Sequence, residues 1–452
     1  MPSVVQGSAG EVALGTQGSA VERAQTESLY RKLTVRLIPF LFVCWVINYI
    51  DRVNIGFAKI PLSKDLGLSD AAYGLGVGLF FVGYILFEVP SNALMEKIGA
   101  KKTIARIMVL WGVVSCSMAF ITTPTQFYIA RTLLGAAEAG FYPGIILYLT
   151  YWFPSGRRAR ITSRFLLAIA VSGIVGGPIS GWILNNMVGV LEFRNWQWLF
   201  VLEGMPAVIA GIVAYFFLDN RPRDARWLTE IEREIILRNL TLDESVKTKA
   251  HGHRFLHLLR DPRVYLVILG YTTVPLLGTV LNYWTATIIH QSGIENIWHV
   301  GLLSAIPFVV GATAMLINAW HSDRTLERRW HYFFATFIGA TGCVLLTYFS
   351  NDWVMAISCL CLVGVAYFCG TGTFWTIPPA YFSGAAAATG IAMISSLGQF
   401  GSLLAPMLLG WLKTHTNSIS TGLYVIAAIS ILGGVAIARG IPKQALRERR
   451  PD

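Results

Sequence analysis

Residues 34–57 read TVRLIPFLFVCWVINYIDRVNIGF, an apolar run of 24 residues with an acid and a base, Asp51 and Arg52, side by side near its end. At about 1.5 Å per residue a helix of this length reaches roughly 36 Å, enough to cross the ~30 Å hydrocarbon core of a bilayer. Eleven further runs of spanning length follow, near 71–94, 103–121, 125–151, 162–188, 196–218, 264–290, 299–320, 331–350, 353–381, 386–412 and 419–438. Of the 452 residues 54% are hydrophobic and 13% charged, with a mean hydropathy of +0.56. A soluble globule carries about 25% charged residues, so this chain lacks the polar surface to coat one. A soluble enzyme, a disordered chain and a fibrous protein are thereby excluded. The expected fold is an all-α membrane protein with twelve transmembrane helices in two six-helix bundles, 31–218 and 264–440. A charged cytoplasmic linker, 219–263, joins them, and the flanking tails are 1–30 and 441–452. The first tail, Gly/Ser/Ala/Glu-rich, reads as disordered, with no cleavable signal peptide before the first span.

Thirty of the 36 Lys and Arg residues fall on one side if the N-terminus is placed there, and four (Lys59, Lys64, Arg194 and Lys413) on the other. The positive-inside rule then puts both termini in the cytoplasm, with the inner (plasma) membrane as the location. This distribution accounts for the net charge of +11 without a nucleic-acid partner. The six cysteines lie in apolar runs without metal-ligand or redox spacing, and no cofactor or metal is expected. His251, His253 and His257 of the linker carry no ligand pattern, and Gly74, Gly76 and Gly78 read as close helix contacts. Trp227, Leu228, Ile231, Ile235 and Ile236 have helical spacing and predict an amphipathic helix on the inner membrane surface.

The two halves repeat at a nearly constant offset. Asn92-ALMEKIGAKK after span 2 parallels Ala319-WHSDRTLERR after span 8, so Glu96 corresponds to Asp323. Pro178 and Gly181-Trp182 in span 5 correspond to Pro406 and Gly410-Trp411 in span 11. A duplicated six-helix unit is a transporter plan, with the substrate held near mid-membrane between the halves.

These segments resemble the major facilitator superfamily. Asn92-ALMEKIGAKK is similar to its loop signature, with Asn92 and Glu96 where Gly and Asp are usual. The second copy keeps Asp323-Arg324. The resemblance implies that Glu96, Asp323 and Arg324 latch a cytoplasmic gate, a carboxylate facing a helix N-terminus in the other half. More narrowly, Asn48-YIDRVN, Tyr84-ILFEVPSN, Arg131-TLLGAAEAGFYPG, Tyr151-WFPSGRRAR and Trp196-QWLFVLEGMPA are similar to the anion:cation symporter family. The EVPSN form resembles the branch carrying tartrate, phthalate and hydroxyphenylacetate. The resemblance implies uptake of an organic anion coupled to protons or sodium, with protons preferred here. Glu203, within the last segment, has no chemistry assigned by the sequence.

Each ionisable residue inside a span costs at least about 2.5–3.5 kcal/mol. Asp51, Arg52, Arg131 and Glu138 sum to zero charge, so they can pair among themselves; a purely structural pairing is the competing reading. Arg131 and Glu138 are two helical turns apart on one face, whereas Asp51 and Arg52 point about 100° apart. One of the latter is expected to reach span 4 while the other faces the cavity. Arg52, always charged and bidentate, is the candidate anchor for the substrate carboxylate. Tyr49 and Tyr84 match family positions that donate to substrate. Glu138 and Asp51 are the candidate proton carriers, with Arg131 governing their proton affinity. Trp375, Gln399 and Asn282 are the candidate substrate contacts from the second half, against a packing role for each. Glu88 reads as gate or packing. The reading is a monomeric, non-enzymatic symporter. Proton-independent exchange and a non-transporting anion sensor are the alternatives.

Overall fold

The computed structural model describes residues 8–248, 262–325, 327–378 and 385–441. Every described element is helical, and twelve helices are long and apolar enough to cross a membrane. They are, in order, spans 1 to 12: Arg23–Leu66, Asp70–Ile98, Ala100–Phe120, Pro124–Thr150, Leu167–Asn186, Asn195–Phe217, Arg263–Gln291, Ile297–Thr325, Arg329–Phe349, Trp353–Phe374, Met393–Thr416 and Ser420–Gly440. All twelve overlap the apolar runs read from the sequence.

Two spans depart from a continuous helix. Span 4 is two helices, Pro124–Glu138 and Phe141–Thr150. Ala139 turns to an extended ψ of 131° and Gly140 adopts φ +86°, a left-handed conformation open to glycine at little cost. In span 7, Val280–Trp284 form a π-turn, the kind of local widening that re-aims side chains.

The halves meet through two equivalent helix pairs, span 2 with span 11 and span 5 with span 8. Gly74 backs onto Pro406 and Gly410, while Gly301 backs onto Gly177 and Gly181. These are the repeat positions of the sequence, so the internal duplication appears as near-identical backbone contacts. With no hydrophobic drive between helices in lipid, small residues that allow close approach supply the dispersion contact. The described inter-bundle contacts concentrate at the end opposite the N-terminus, where side chains from both halves merge into one core, including Leu62, Tyr73, Trp284, Phe308 and Leu409. A second core is formed mainly by the first half with Leu228 and Ile236 of the linker, and Leu403 of span 11 packs against it.

Residues 8–30, expected as an unstructured tail, instead continue the helix of span 1. Leu29, Tyr30 and Leu33 are buried, and Glu27 pairs with Arg157 at 2.5 Å. The linker helix Glu230–Thr248 packs against the same half. Trp227 stacks on Trp152 at 5.9 Å and, with Phe217, sandwiches Arg36. Lys32 pairs with Glu232 at 2.8 Å, and Asp243 takes Ser155 and Arg158. Leu228 and Ile236 are thus buried in protein while Ile231 stays exposed. His251, His253, His257 and the tail from 442 lie outside the described residues.

A Cβ on Gly301 would sit 2.5 Å from the Gly177 carbonyl oxygen. Overpacking of this kind costs about 1–3 kcal/mol. Gly301→Leu is therefore expected to raise the maleimide-labelling rate of a cysteine placed at buried Ser304 about 5- to 150-fold, in a background lacking the native cysteines. An unchanged rate would show that the contact tolerates a side chain.

Candidate functional site

The centre of the molecule is built on the first half of the chain. Glu138 ends the first helix of span 4, where the outgoing carbonyls already make the surroundings negative. Arg52 reaches it from span 1: its Nη2 lies 2.7 Å and its Nε 3.3 Å from Oε2 of Glu138. Asn48, one turn earlier, donates to the same oxygen at 2.9 Å. Oε1 of Glu138 has no described partner. The glutamate is wholly buried, whereas 17% of the Arg52 side chain remains exposed. The guanidinium is therefore the more accessible member of the pair.

Asp51 turns the other way. It accepts hydrogen bonds from Ser115 of span 3 and, at 3.3 Å, from Asn54, and does not reach span 4. Arg131 is completely buried, yet no described residue accepts a hydrogen bond from its Nε, Nη1 or Nη2. Its guanidinium lies 5.0 Å from the Phe80 ring, and that of Arg52 lies 5.3 Å from the same ring. Phe80 thus keeps two cations apart while attracting both. Tyr84 lies under Arg52 at 5.3 Å. Of the arrangements the sequence left open, Arg52 is the residue paired to span 4, and Arg131 does not pair with Glu138.

The second half contributes no charge here. Spans 7 to 12 carry no Asp, Glu, Lys or Arg between their end turns. Instead the hydroxyls of Tyr49 and Tyr367 meet at 2.9 Å, and Asn282 donates to Tyr49 at 3.1 Å. The π-turn positions Asn282, and the next carbonyl, of Tyr283, accepts from Tyr73 at 3.4 Å. Trp375, just past span 10, is half-buried with its ring edge-on to Tyr271 at 5.1 Å. Gln399 is half-buried on span 11 and forms no hydrogen bond to a described residue.

The gate residues do not form the expected cross-bundle contact. Glu96 is exposed and makes no ion pair with a described residue, Asp323 pairs with Arg328 of its own loop at 2.6 Å, and Arg324 lies over Trp320. A cross-bundle ion pair exists at the opposite end instead. Asp70 takes Lys59 at 2.6 Å and Lys413 of the other half at 3.5 Å, and the Ala71 amide donates to Thr414. Lys59 sits 3.5 Å from the centre of the Trp284 ring and is buried, although hydropathy counting treats it as a loop residue. Sequence reasoning also missed Asn48, Ser115 and Tyr367. For Asn48 a signal existed, since it stands four residues before Arg52 and so on the same helix face.

Comparison with known proteins agrees with this architecture. Residues 41–406 match the family model of the Major Facilitator Superfamily, and the chain belongs to that family of membrane proteins. It is 42% identical over 405 residues to a protein of Agrobacterium vitis named "Putative tartrate transporter", covering 90% of this chain and 93% of that one. It is 40% identical over 407 residues to the "Putative metabolite transport protein NicT" of Pseudomonas putida, covering 90% and 93%. The solved D-xylose-proton symporter shares the fold, with a TM-score of 0.72 at 14% identity over 91% of this chain and 98% of that one.

A part-exposed ion pair is worth about 0.2–1 kcal/mol. Asp70→Asn, which removes the shared anion of Lys59 and Lys413, is expected to raise labelling at a Ser304→Cys reporter about 1.4- to 5-fold. A rate equal to that of the parent would show that the clasp does not hold this end closed.

Proposed function

We propose that this multi-pass membrane protein imports an organic carboxylate together with protons by alternating access. In this reading Arg52 is the anion anchor and Glu138 the coupling acid. The observation that carries it is the occupancy of the Arg52 fork by the Glu138 carboxylate between two six-helix bundles. A substrate carboxylate competes for the same guanidinium. When a proton neutralises Glu138, its charge-assisted hold on Arg52 weakens and the fork is free for the arriving anion. If Glu138 stays ionised, an incoming carboxylate meets a second negative charge at hydrogen-bond distance and is repelled. Proton and anion therefore enter together, and the site keeps its net charge through the cycle.

The remaining residues fit this scheme. Arg131, buried and without a described acceptor, supplies fixed positive potential that attracts the anion. Asp51 is the second proton-accepting group. Tyr49, Tyr84, Asn282, Trp375 and Gln399 shape the rest of the pocket, the first through its link to Tyr367 and Asn282. Coupling to a proton is favoured over sodium because the partner of Glu138 is an arginine, which a bound metal cation would have to displace. The basic residues clustered at the ends bearing both termini support a cytoplasmic location of those ends in an inner membrane. The closed end is then external, and the described conformation faces inward. The small-metabolite names of the relatives support an organic anion of tartrate size.

Uptake of radiolabelled tartrate, phthalate and hydroxyphenylacetate into proteoliposomes tests the reading. An inward proton gradient is expected to drive accumulation of at least one of them. Glu138→Gln, which mimics the protonated acid, is expected to retain exchange while losing gradient-driven accumulation; full uphill uptake by this variant would refute the assignment. Arg52→Ala removes charge-assisted hydrogen bonds worth about 1.5–3 kcal/mol. The substrate is then expected to bind about 10- to 150-fold more weakly, and unchanged affinity would exclude Arg52 as the anchor.

A further inference from the structure

Glu203 of span 6 lies inside the first bundle and takes no part in the scheme above. Its side chain is buried, and one carboxyl oxygen, Oε1, accepts from Ser180 of span 5 at 2.7 Å. The other, Oε2, has no described partner. The Asn54 side chain of span 1 lies against both this carboxyl and that of Asp51. Its amide nitrogen is 3.3 Å from Oδ1 of Asp51, and its own oxygen, Oδ1, is also without a partner. Two buried oxygens that can only accept, one on Glu203 and one on Asn54, thus stand in one small polar cluster. Orphaned buried acceptors are costly, and an uncompensated carboxylate in hydrocarbon is costlier. No ion pair reaches Glu203 among the described residues. The groups facing the cluster are Asp51 and Asn54 from span 1, Ser115 and Cys116 from span 3, Glu138 and Arg131 of span 4 through Asp51, and Ser180 from span 5. The single cation in this set acts on Asp51.

We propose that Glu203 holds a proton on Oε2 and donates it to Oδ1 of Asn54, which fixes the Asn54 amide nitrogen toward Asp51. One proton then satisfies both orphaned oxygens. The orientation of Asn54 keeps an N–H donor on Asp51, which stabilises its ionised form and so holds back its protonation until the proton concentration is higher. Glu203 is a positioning residue: it stays neutral throughout and tunes Asp51 through the amide. The role in coupling rests on the proton-driven reading above, whereas the protonation of Glu203 does not.

Glu203→Gln keeps the shape and replaces the O–H donor with an N–H donor, while Glu203→Ala removes it. Infrared spectra of the purified protein at neutral pH, without any substrate, are expected to show a protonated-carboxyl band that Glu203→Gln abolishes. A band unchanged in Glu203→Gln would overturn the proposal whether or not the protein transports anything. In proteoliposomes, Glu203→Gln is expected to retain gradient-driven tartrate uptake with the parental pH profile. Glu203→Ala is expected to lower the proton concentration needed for half-maximal uptake at least about tenfold, as for loss of a hydrogen bond to a charged group. Loss of uphill uptake in Glu203→Gln would instead make Glu203 a working proton carrier and overturn the positioning role. Absence of proton-driven uptake in the parent protein would count against the transport reading, and the spectroscopic result would still decide the state of Glu203.

Discussion

An arginine and a glutamate placed within membrane-spanning helices must be answered by groups that the helices themselves provide, and the pairing of Arg52 with Glu138 shows what this demands. The glutamate needs a defined position, which the end of a helix supplies. That end requires a break, and the break requires the left-handed Gly140. The arginine needs its other face covered, and Phe80 and Tyr84 do so with ring faces that tolerate a cation. Asn48 then completes the coordination of the carboxylate. The irregular backbone, the aromatic lining and the polar neighbours all trace back to one ion pair.

The duplication that shapes the backbone does not extend to the chemistry. Glycines at equivalent positions, Gly74 against Gly410 and Gly301 against Gly181, bring the two halves together with the same geometry. Yet the stretch of span 7 that corresponds to the acid–base pair of span 1, Gly278 to Leu281, carries no charge and runs into the π-turn Val280–Trp284. The two copies kept their contact surfaces and diverged in their interiors. The clasp of Asp70 by Lys59 and Lys413 joins them at one end without a counterpart formed by Glu96 at the other.

The fold was legible because hydropathy over twenty-residue windows measures what a bilayer selects, and the twelve runs needed no knowledge of packing. The four intramembrane charges were legible for the same reason, as expensive exceptions. Which of them pair was not legible, since the register and rotation of one helix against another are not written in either. Arg52 rather than Arg131 meets Glu138 because two turns of one helix, about 10.5 Å, separate Arg131 from the acid, whereas Arg52 reaches it from another helix. Gly140 followed by Pro143 was a readable stop-and-restart signal that hydropathy ignores. Lys59 was misplaced by the opposite error: counted as a charge outside the membrane, it is buried because Asp70 and the Trp284 face supply what water would have. The tail before span 1 had the composition of a solvated segment, and its final turns are ordered by contacts with residues more than a hundred positions away, such as Arg157 and Glu232.

The confinement of ionisable groups to the first bundle divides responsibilities within the molecule. Phenols, an amide and an indole line the other side, while Asp51, Arg52, Arg131 and Glu138 stay among first-half neighbours. Under the proposed coupling, evolution can recut the uncharged wall to suit a new cargo and leave the charged machinery intact, an economical route by which one scaffold diversifies.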